Sequence, residues 1–246
     1  MTRTVEIRAL RLRPDAWPEF RRHYLHAGLP LLEAAGFDVV AFGRSADEPD
    51  VAWVIRAFAD GADRRVQEDA YYGSPAWRDG PRAAILACIE TYVDAVIELD
   101  EATVDELRVL GIDAHAPAAG SAEPGPERRL VEVRIYALRP GAWPSFQSGF
   151  RAALPLLERA GIDTLDFGRG PGDPGEPEGA YLIRTFADAA EREAQETAFY
   201  GSPAWRNGPR QTILDGIETY VDAVLELHPR AVEGLRRLGG SAAGAP

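Results

Sequence analysis

Two glutamate–arginine pairs stand at matching places in the chain: Glu6 and Arg8 in Val5-Glu-Ile-Arg8, and Glu132 and Arg134 in Val131-Glu-Val-Arg134. A carboxylate taken out of water can act as a base. A guanidinium beside it can hold the enolate oxygen that such a base creates. Tyr136 follows on the same strand face in the second pair, and Leu10 stands in its place in the first. Arg56 and Arg184 recur, as do Tyr92 and Tyr220, Asp94 and Asp222, and Trp77 and Trp205. Arginines, carboxylates and tyrosines gathered together suit a small anionic or polyoxygenated ligand. The same residues admit a plainer reading, in which the charges pair and neutralise one another and the tryptophans anchor turns in a core.

The elements that must position these residues come in duplicate. Tyr72-Gly-Ser-Pro-Ala-Trp-Arg-Asp-Gly-Pro-Arg82 returns as Tyr200-Gly-Ser-Pro-Ala-Trp-Arg-Asn-Gly-Pro-Arg210, and Glu90-Thr-Tyr-Val-Asp-Ala-Val96 returns unchanged as Glu218 to Val224. A spacing of roughly 125 residues is too long for a solenoid repeat and suits a duplicated small domain. The reading is one copy over residues 1–110, an Ala/Pro/Gly linker over 111–128, a second copy over 129–238 and a flexible tail over 239–246.

Each copy reads strand, helix, strand, strand, helix, strand. Val5 to Leu12 alternates, which predicts a strand. Arg13-Pro14 opens a helix with a stripe of Phe20, Tyr24, Leu25, Leu31 and Leu32, which Pro30 is expected to kink and Gly36 to end. Strands follow over 37–44 and 51–58, then a helix capped by Asp60, another over 77–89, and a last strand over 91–99. The order βαββαβ is the ferredoxin-like unit, α+β in class, with helices on one face of its sheet. Two tandem units with their bare faces together would make a pseudo-dimeric α/β barrel of about eight strands. If the purely apolar face (Val5, Ile7, Ala9) packs on the helices, then Glu6, Arg8, Arg56 and their counterparts point into the barrel lumen. A small-molecule ligand would sit there.

Composition narrows the partners. The net charge is −12, and all 27 basic residues are arginine. An acidic balance speaks against nucleic acid and anionic membrane. No apolar run is long enough for a membrane span, and the start leads directly into a strand pattern, so the expected location is the cytoplasm. One cysteine, Cys88, allows no internal disulfide. No histidine is duplicated, His23 being the one loose candidate for a haem ligand, and no ligand set has metal spacing. The expectation is therefore no metal and no cofactor. The chain is expected to be a monomer by fusion or a further homo-oligomer.

The strand Val-Glu-Ile/Val-Arg with Leu-Arg-Pro after it, the helical Leu-Pro-Leu-Leu-Glu followed by Ala-Gly, and the Ser-Pro-Ala-Trp-Arg turn together resemble the NIPSNAP family. That family belongs to the dimeric α/β-barrel superfamily, and the likeness covers both copies. Its first-strand pattern Tyr-Glu-Leu-Arg-x-Tyr falls on Glu6 and Arg8, and on Glu132, Arg134 and Tyr136. Leu10 departs from it. The resemblance implies small-molecule chemistry of a superfamily that holds cofactor-free enzymes and also haem enzymes. With no ligand set in the chain, the expectation is a cofactor-free isomerase or cyclase acting by proton transfer on an oxygenated, polyketide-like metabolite of specialised metabolism. A cofactor-free monooxygenase of the same superfamily is one alternative, and a non-catalytic binding or interaction protein is the other. The unequal residues, Leu10 against Tyr136 and Trp53 against Tyr181, with His23 unmatched, predict one dominant site near Tyr136 and Arg134.

Overall fold

Strand β1 (Thr2–Leu12) carries β-branched and large apolar residues and pairs antiparallel on both sides, with β3 (Val51–Phe58) and β4 (Ile89–Asp100). With β2 (Asp38–Arg44) these give the order β4-β1-β3-β2, that of a ferredoxin-like unit, in a mixed α+β fold. The computed structural model describes residues 1–114, 128–170 and 178–242, with side chains to residue 237 and none at 114. It divides into two compact units, Met1–Glu123 and Pro124–Pro246.

In the first unit α1 (Trp17–His23) and α2 (Leu29–Ala34) are joined by a π turn over Tyr24–Gly28. Helix α3 (Gly61–Gly73) starts where Asp60 accepts the amide hydrogens of Ala62 and Asp63, each at 2.8 Å, which satisfies donors the first turn leaves open. The segment expected as one helix over 77–89 is instead α4 (Pro75–Arg78) and α5 (Arg82–Ala87). Gly80 separates them because a Cβ there would lie 2.2 Å from the Ala76 carbonyl oxygen. After β4 comes α6 (Glu101–Arg108), tied to the sheet by Arg108 on Asp38 at 2.6 Å. The expected linker begins with a strand, β5 (Ile112–Ala114), parallel to β2. Residues 115–127 lie outside the described ones.

The second unit repeats the plan with β6 (Arg129–Leu138), α7 (Trp143–Arg159), β7 (Asp163–Arg169), β8 (Gly179–Phe186), α8 (Ala189–Gly201), α9 (Pro203–Arg206), α10 (Arg210–Gly216) and β9 (Ile217–Leu227). Its sheet order is β7-β8-β6-β9. Helix α11 (Pro229–Ala242) takes in the first residues of the expected tail, and residues 243–246 lie outside the described ones. Pro155 sits inside the continuous α7, so the equivalent Pro30 is not by itself what interrupts the first helix of unit 1.

The faces of β1 are the reverse of the sequence expectation. Leu10 and Leu12 share one core with Phe20, Tyr24, Leu32, Val54 and Phe58. The face bearing Glu6, Arg8 and Arg56 is therefore the one beneath the helices. Val5, Ile7 and Ala9 lie on the other face and are also buried. Alternation could not separate two buried faces. The assumption that charge avoids the helix side failed because α3 brings polar partners of its own to that side.

Candidate functional site

Register assembles the polar centre. Across the sheet of unit 1, Glu6 stands opposite Arg56 and Arg8 opposite Asp94. Unit 2 repeats this with Glu132 opposite Arg184 and Arg134 opposite Asp222. Directly opposed side chains of opposite charge interact. Here they do so under a helix that adds Arg64, Glu68 and Tyr72. These are spaced one helical turn apart, so all three project from one face of α3.

Glu6 is fully buried. One carboxylate oxygen takes the Arg56 guanidinium and the other takes Arg64 Nε at 3.0 Å. Arg56 also reaches Glu68 at 2.6 Å. Arg8 forks onto Asp94 through Nε and Nη2, at 2.6 and 2.8 Å. In unit 2, Glu132 takes Arg184 and Arg192, and Arg184 also binds Glu196. Arg134 forks onto Asp222 at 2.6 and 2.7 Å. Burial alone would raise the Glu6 carboxyl, but the charges of Arg56, Arg8 and Arg64 outweigh it and hold it well below the usual carboxylate range. Glu132 is held at about 2, with burial opposed by Arg134, Arg184 and Arg192. Burial and the charge of Glu6 together push Glu68 up to about 7 against the pull of Arg56 and Arg64.

A carboxyl lowered by folding stabilises the folded state fully above its ordinary value of 4.5. That contribution drains away as pH falls toward 2, because the unfolded chain binds the proton first. Thermal unfolding followed from pH 5 down to pH 2.5 should therefore show a steep loss of stability. Glu132→Gln should flatten the slope, and an unchanged slope would contradict the assignment.

Each unit has a cavity between its sheet and its helices, of about 630 Å³ in unit 1 and 720 Å³ in unit 2. Arg8, Arg56 and Tyr72 form the polar pole of the first, and Arg134, Arg184 and Tyr200 that of the second. The Tyr72 oxygen accepts N–H bonds from Arg8 at 2.7 Å and Arg56 at 3.1 Å. Its own hydrogen meets no acceptor among the described residues. Tyr200 accepts from Arg134 at 2.6 Å and from Arg184 at 3.5 Å. Aromatic and aliphatic side chains form the rest of the walls.

The expected site residues divide four ways. Arg8, Arg56, Arg134, Arg184 and Tyr136 line the cavities, although on the helix side of the sheets rather than in a lumen. Tyr92 and Tyr220 line them at the mouth, half exposed, with the guanidinium carbons of Arg8 and Arg134 at 5.0 and 5.5 Å from their rings. Trp77 and Trp205 are buried and also form wall, Trp77 packing on the rings of Tyr71 and Tyr72. Glu6, Glu132, Asp94 and Asp222 line neither of these cavities. They lie behind the arginines as counter-charges, which removes the glutamates from the role of base. Trp53 and Tyr181 are on the opposite sheet face, where Trp53 donates to the Arg44 carbonyl and Tyr181 to Asp166. They shape neither of these two cavities. His23 pairs with Glu19 along α1 at 3.4 Å. Among the described residues no cluster could hold a metal ion.

Tyr72, Tyr200 and the mouth arginines Arg78, Arg82, Arg206 and Arg210 were missed at the sequence level. All six belong to the duplicated Tyr-Gly-Ser-Pro-Ala-Trp-Arg-x-Gly-Pro-Arg motif, which forms one wall of each cavity.

No family model and no curated protein matches the sequence. Solved structures similar to the chain include a NIPSNAP family protein of unknown function from Agrobacterium tumefaciens. It is 22% identical over 39% of this chain and 86% of its own, with a TM-score of 0.37. A NIPSNAP domain protein from Burkholderia xenovorans is 22% identical over 39% of this chain and 91% of its own, at 0.34. An anthrone oxidase-like protein is 10% identical over 92% of this chain and 91% of its own, with a TM-score of 0.53. NIPSNAP structures are thus among the chain's structural neighbours, as the motif resemblance implied, and the likeness to the anthrone oxidase-like protein, over nearly the whole chain, is one of fold. No helix is long and apolar enough to cross a membrane among the described residues.

Proposed function

We propose that each unit binds a small, polyoxygenated aromatic or enolisable molecule and stabilises its enolate or phenolate. The observation that carries this is the Tyr72 oxygen held by two guanidinium groups, Arg8 at 2.7 Å and Arg56 at 3.1 Å, with its single hydrogen left for the cavity. Cationic donors on a phenol oxygen polarise its O–H and make it a stronger donor. A donor fixed where negative charge develops is the main device for stabilising an oxyanion.

No carboxylate or imidazole lines either cavity among the described residues. The C–H proton would leave to water, and the electron pair would move to the carbonyl oxygen held by Tyr72. This favours a carbon acid whose anion is widely delocalised, as in a fused aromatic ketone. The enolate can be reprotonated elsewhere or attack a second carbonyl, which are the isomerase and cyclase outcomes. It can also react with dioxygen. The fold likeness to an anthrone oxidase-like protein favours that last branch. In it, one anthrone and one O₂ would give one anthraquinone and one water. Mouth residues Arg78 and Arg82 suit an anionic substituent on the same molecule.

Anthrone is the probe for the test. Under nitrogen in D₂O the protein should accelerate exchange of the anthrone methylene protons, which reports enolate formation alone. Under air, consumption of one O₂ per anthraquinone identifies the oxygenase branch. Saturable binding without accelerated exchange would leave a binding protein and overturn the catalytic reading.

A further inference from the structure

The first helix differs between the units by one residue. Trp17 to Gly36 and Trp143 to Gly161 begin and end alike and share Leu-Pro-Leu-Leu-Glu, yet the first span holds one residue more. The extra residue falls between Phe20 and Leu29 and is absorbed by the π turn, in which the Leu29 amide donates to the Tyr24 carbonyl. α7 runs unbroken through the same stretch. Packing registers the change. In unit 1 the helix meets Ile85 through Gly28, where a Cβ would lie at 3.0 Å. In unit 2 it meets the equivalent Ile213 about a turn earlier, through Gly149, where a Cβ would lie at 2.9 Å. Single π turns inside helices collect at functional sites.

Tyr24 opens this turn and lines the cavity. Its ring stacks on Phe42 at 4.3 Å, the residue is only 7% exposed, and its buried hydroxyl has no hydrogen-bond partner. A buried hydroxyl left unpaired is costly unless something pairs it. Unit 2 has Phe150 there. The strand floor shows the reverse exchange, with Leu10 in unit 1 and Tyr136 in unit 2. Tyr136 is 4% exposed, lies 5.7 Å from the Phe150 ring, and makes no side-chain hydrogen bond among the described residues. Each cavity thus carries one phenol without a hydrogen-bond partner beside the same arginine–tyrosine pole, from the helix wall in unit 1, where its oxygen is fully buried, and from the sheet floor in unit 2, where the oxygen keeps some access.

We infer that the two cavities are distinct sites that select different regioisomers of an oxygenated aromatic ligand, with Tyr24 and Tyr136 as the residues that read its second oxygen. The inference rests on the proposed binding of such a ligand by its anionic oxygen. A rigid planar molecule held at that oxygen presents a second oxygen to one wall or the other, not to both. A hydroxyl that must be paired when buried rejects the isomer that leaves it unpaired. The inference replaces the sequence expectation of one dominant site with two specialised ones.

The test is calorimetric titration of the full chain with 1,3- and 1,8-dihydroxynaphthalene, alongside Tyr24→Phe and Tyr136→Phe. Both variants keep the ring, and circular dichroism checks their folding. Two sites per chain are expected, with different isomer preferences. Each variant should weaken the preferred isomer at one site by about three- to tenfold, the worth of one hydrogen bond, and leave the other site unchanged. The same isomer ratio at both sites, or variants that alter both sites alike or neither, overturns the inference while the parent reading stands. No binding of either isomer at either site overturns the parent reading, and the inference falls with it.

Discussion

Replacing Tyr72 and Tyr200 together by phenylalanine is expected to slow anthrone methylene exchange by about 10²- to 10³-fold, the usual effect of removing one oxyanion donor. The ring contacts with Trp77 and Trp205 are kept, so the cavity walls stay in place. Arg8 and Arg134 keep their carboxylate forks on Asp94 and Asp222. Folding should therefore change little, and probe binding should weaken far less than turnover. Equal losses in binding and turnover would show a hydroxyl that only holds ligand. No loss in either would remove Tyr72 and Tyr200 from the site.

The second large effect is on stability. Glu6→Ala should cost about 3–5 kcal/mol, because it leaves three arginines around an emptied, dry position. The three are Arg56 and Arg64, each 2–3% exposed as side chain or residue, and Arg8 at 3.5 Å. Glu68 remains beside Arg56 and Arg64 and compensates only in part. Denaturant unfolding should show the midpoint falling with little change in slope. A substitution on the solvent side of α3, Val66→Ala, should be nearly neutral, since Val66 is 68% exposed. A near-neutral Glu6→Ala would mean that the cluster adds nothing to stability.

Much of this fold could be read in the sequence. β3 spans the expected 51–58, Asp60 caps its helix, and the strands and helices of both units follow the duplicated order βαββαβ. What escaped lay in contacts between distant residues. Parity along β1 sorts Glu6 and Arg8 from Val5 and Ile7, but not which set faces the helices when both are buried. Arg64, Glu68 and Tyr72 are one turn apart on a helix and read locally as a solvated charged stripe. Only the crossing of α3 over β1 and β3 turns that stripe inward. Helices α6 and α11 were missed because each follows so closely on a strand that the strand pattern reads as the close of the unit. Tyr72 and Tyr200 open the most strongly repeated motif in the chain, and the repetition itself was the available signal.

The positive pole of each cavity is built from arginine alone, and this fixes how ligand binding must respond to alkali. A guanidinium keeps its proton throughout the range in which a protein stays folded, whereas an amine in the same place could be switched off. Burial raises the cost of its charge, yet Asp94, Tyr72 and Glu6 hold Arg8 protonated even more firmly than it is in water. The basic limb of any pH profile therefore contains no inflection from this pole. A ligand that binds as its anion should be captured more tightly as pH rises through the ligand's own pKa and then reach a plateau. Glu68, held at about 7 beside Arg56, titrates below this range, so for ligands with pKa values well above 7 the midpoint of that rise would measure the chemistry of the bound molecule and not of the protein.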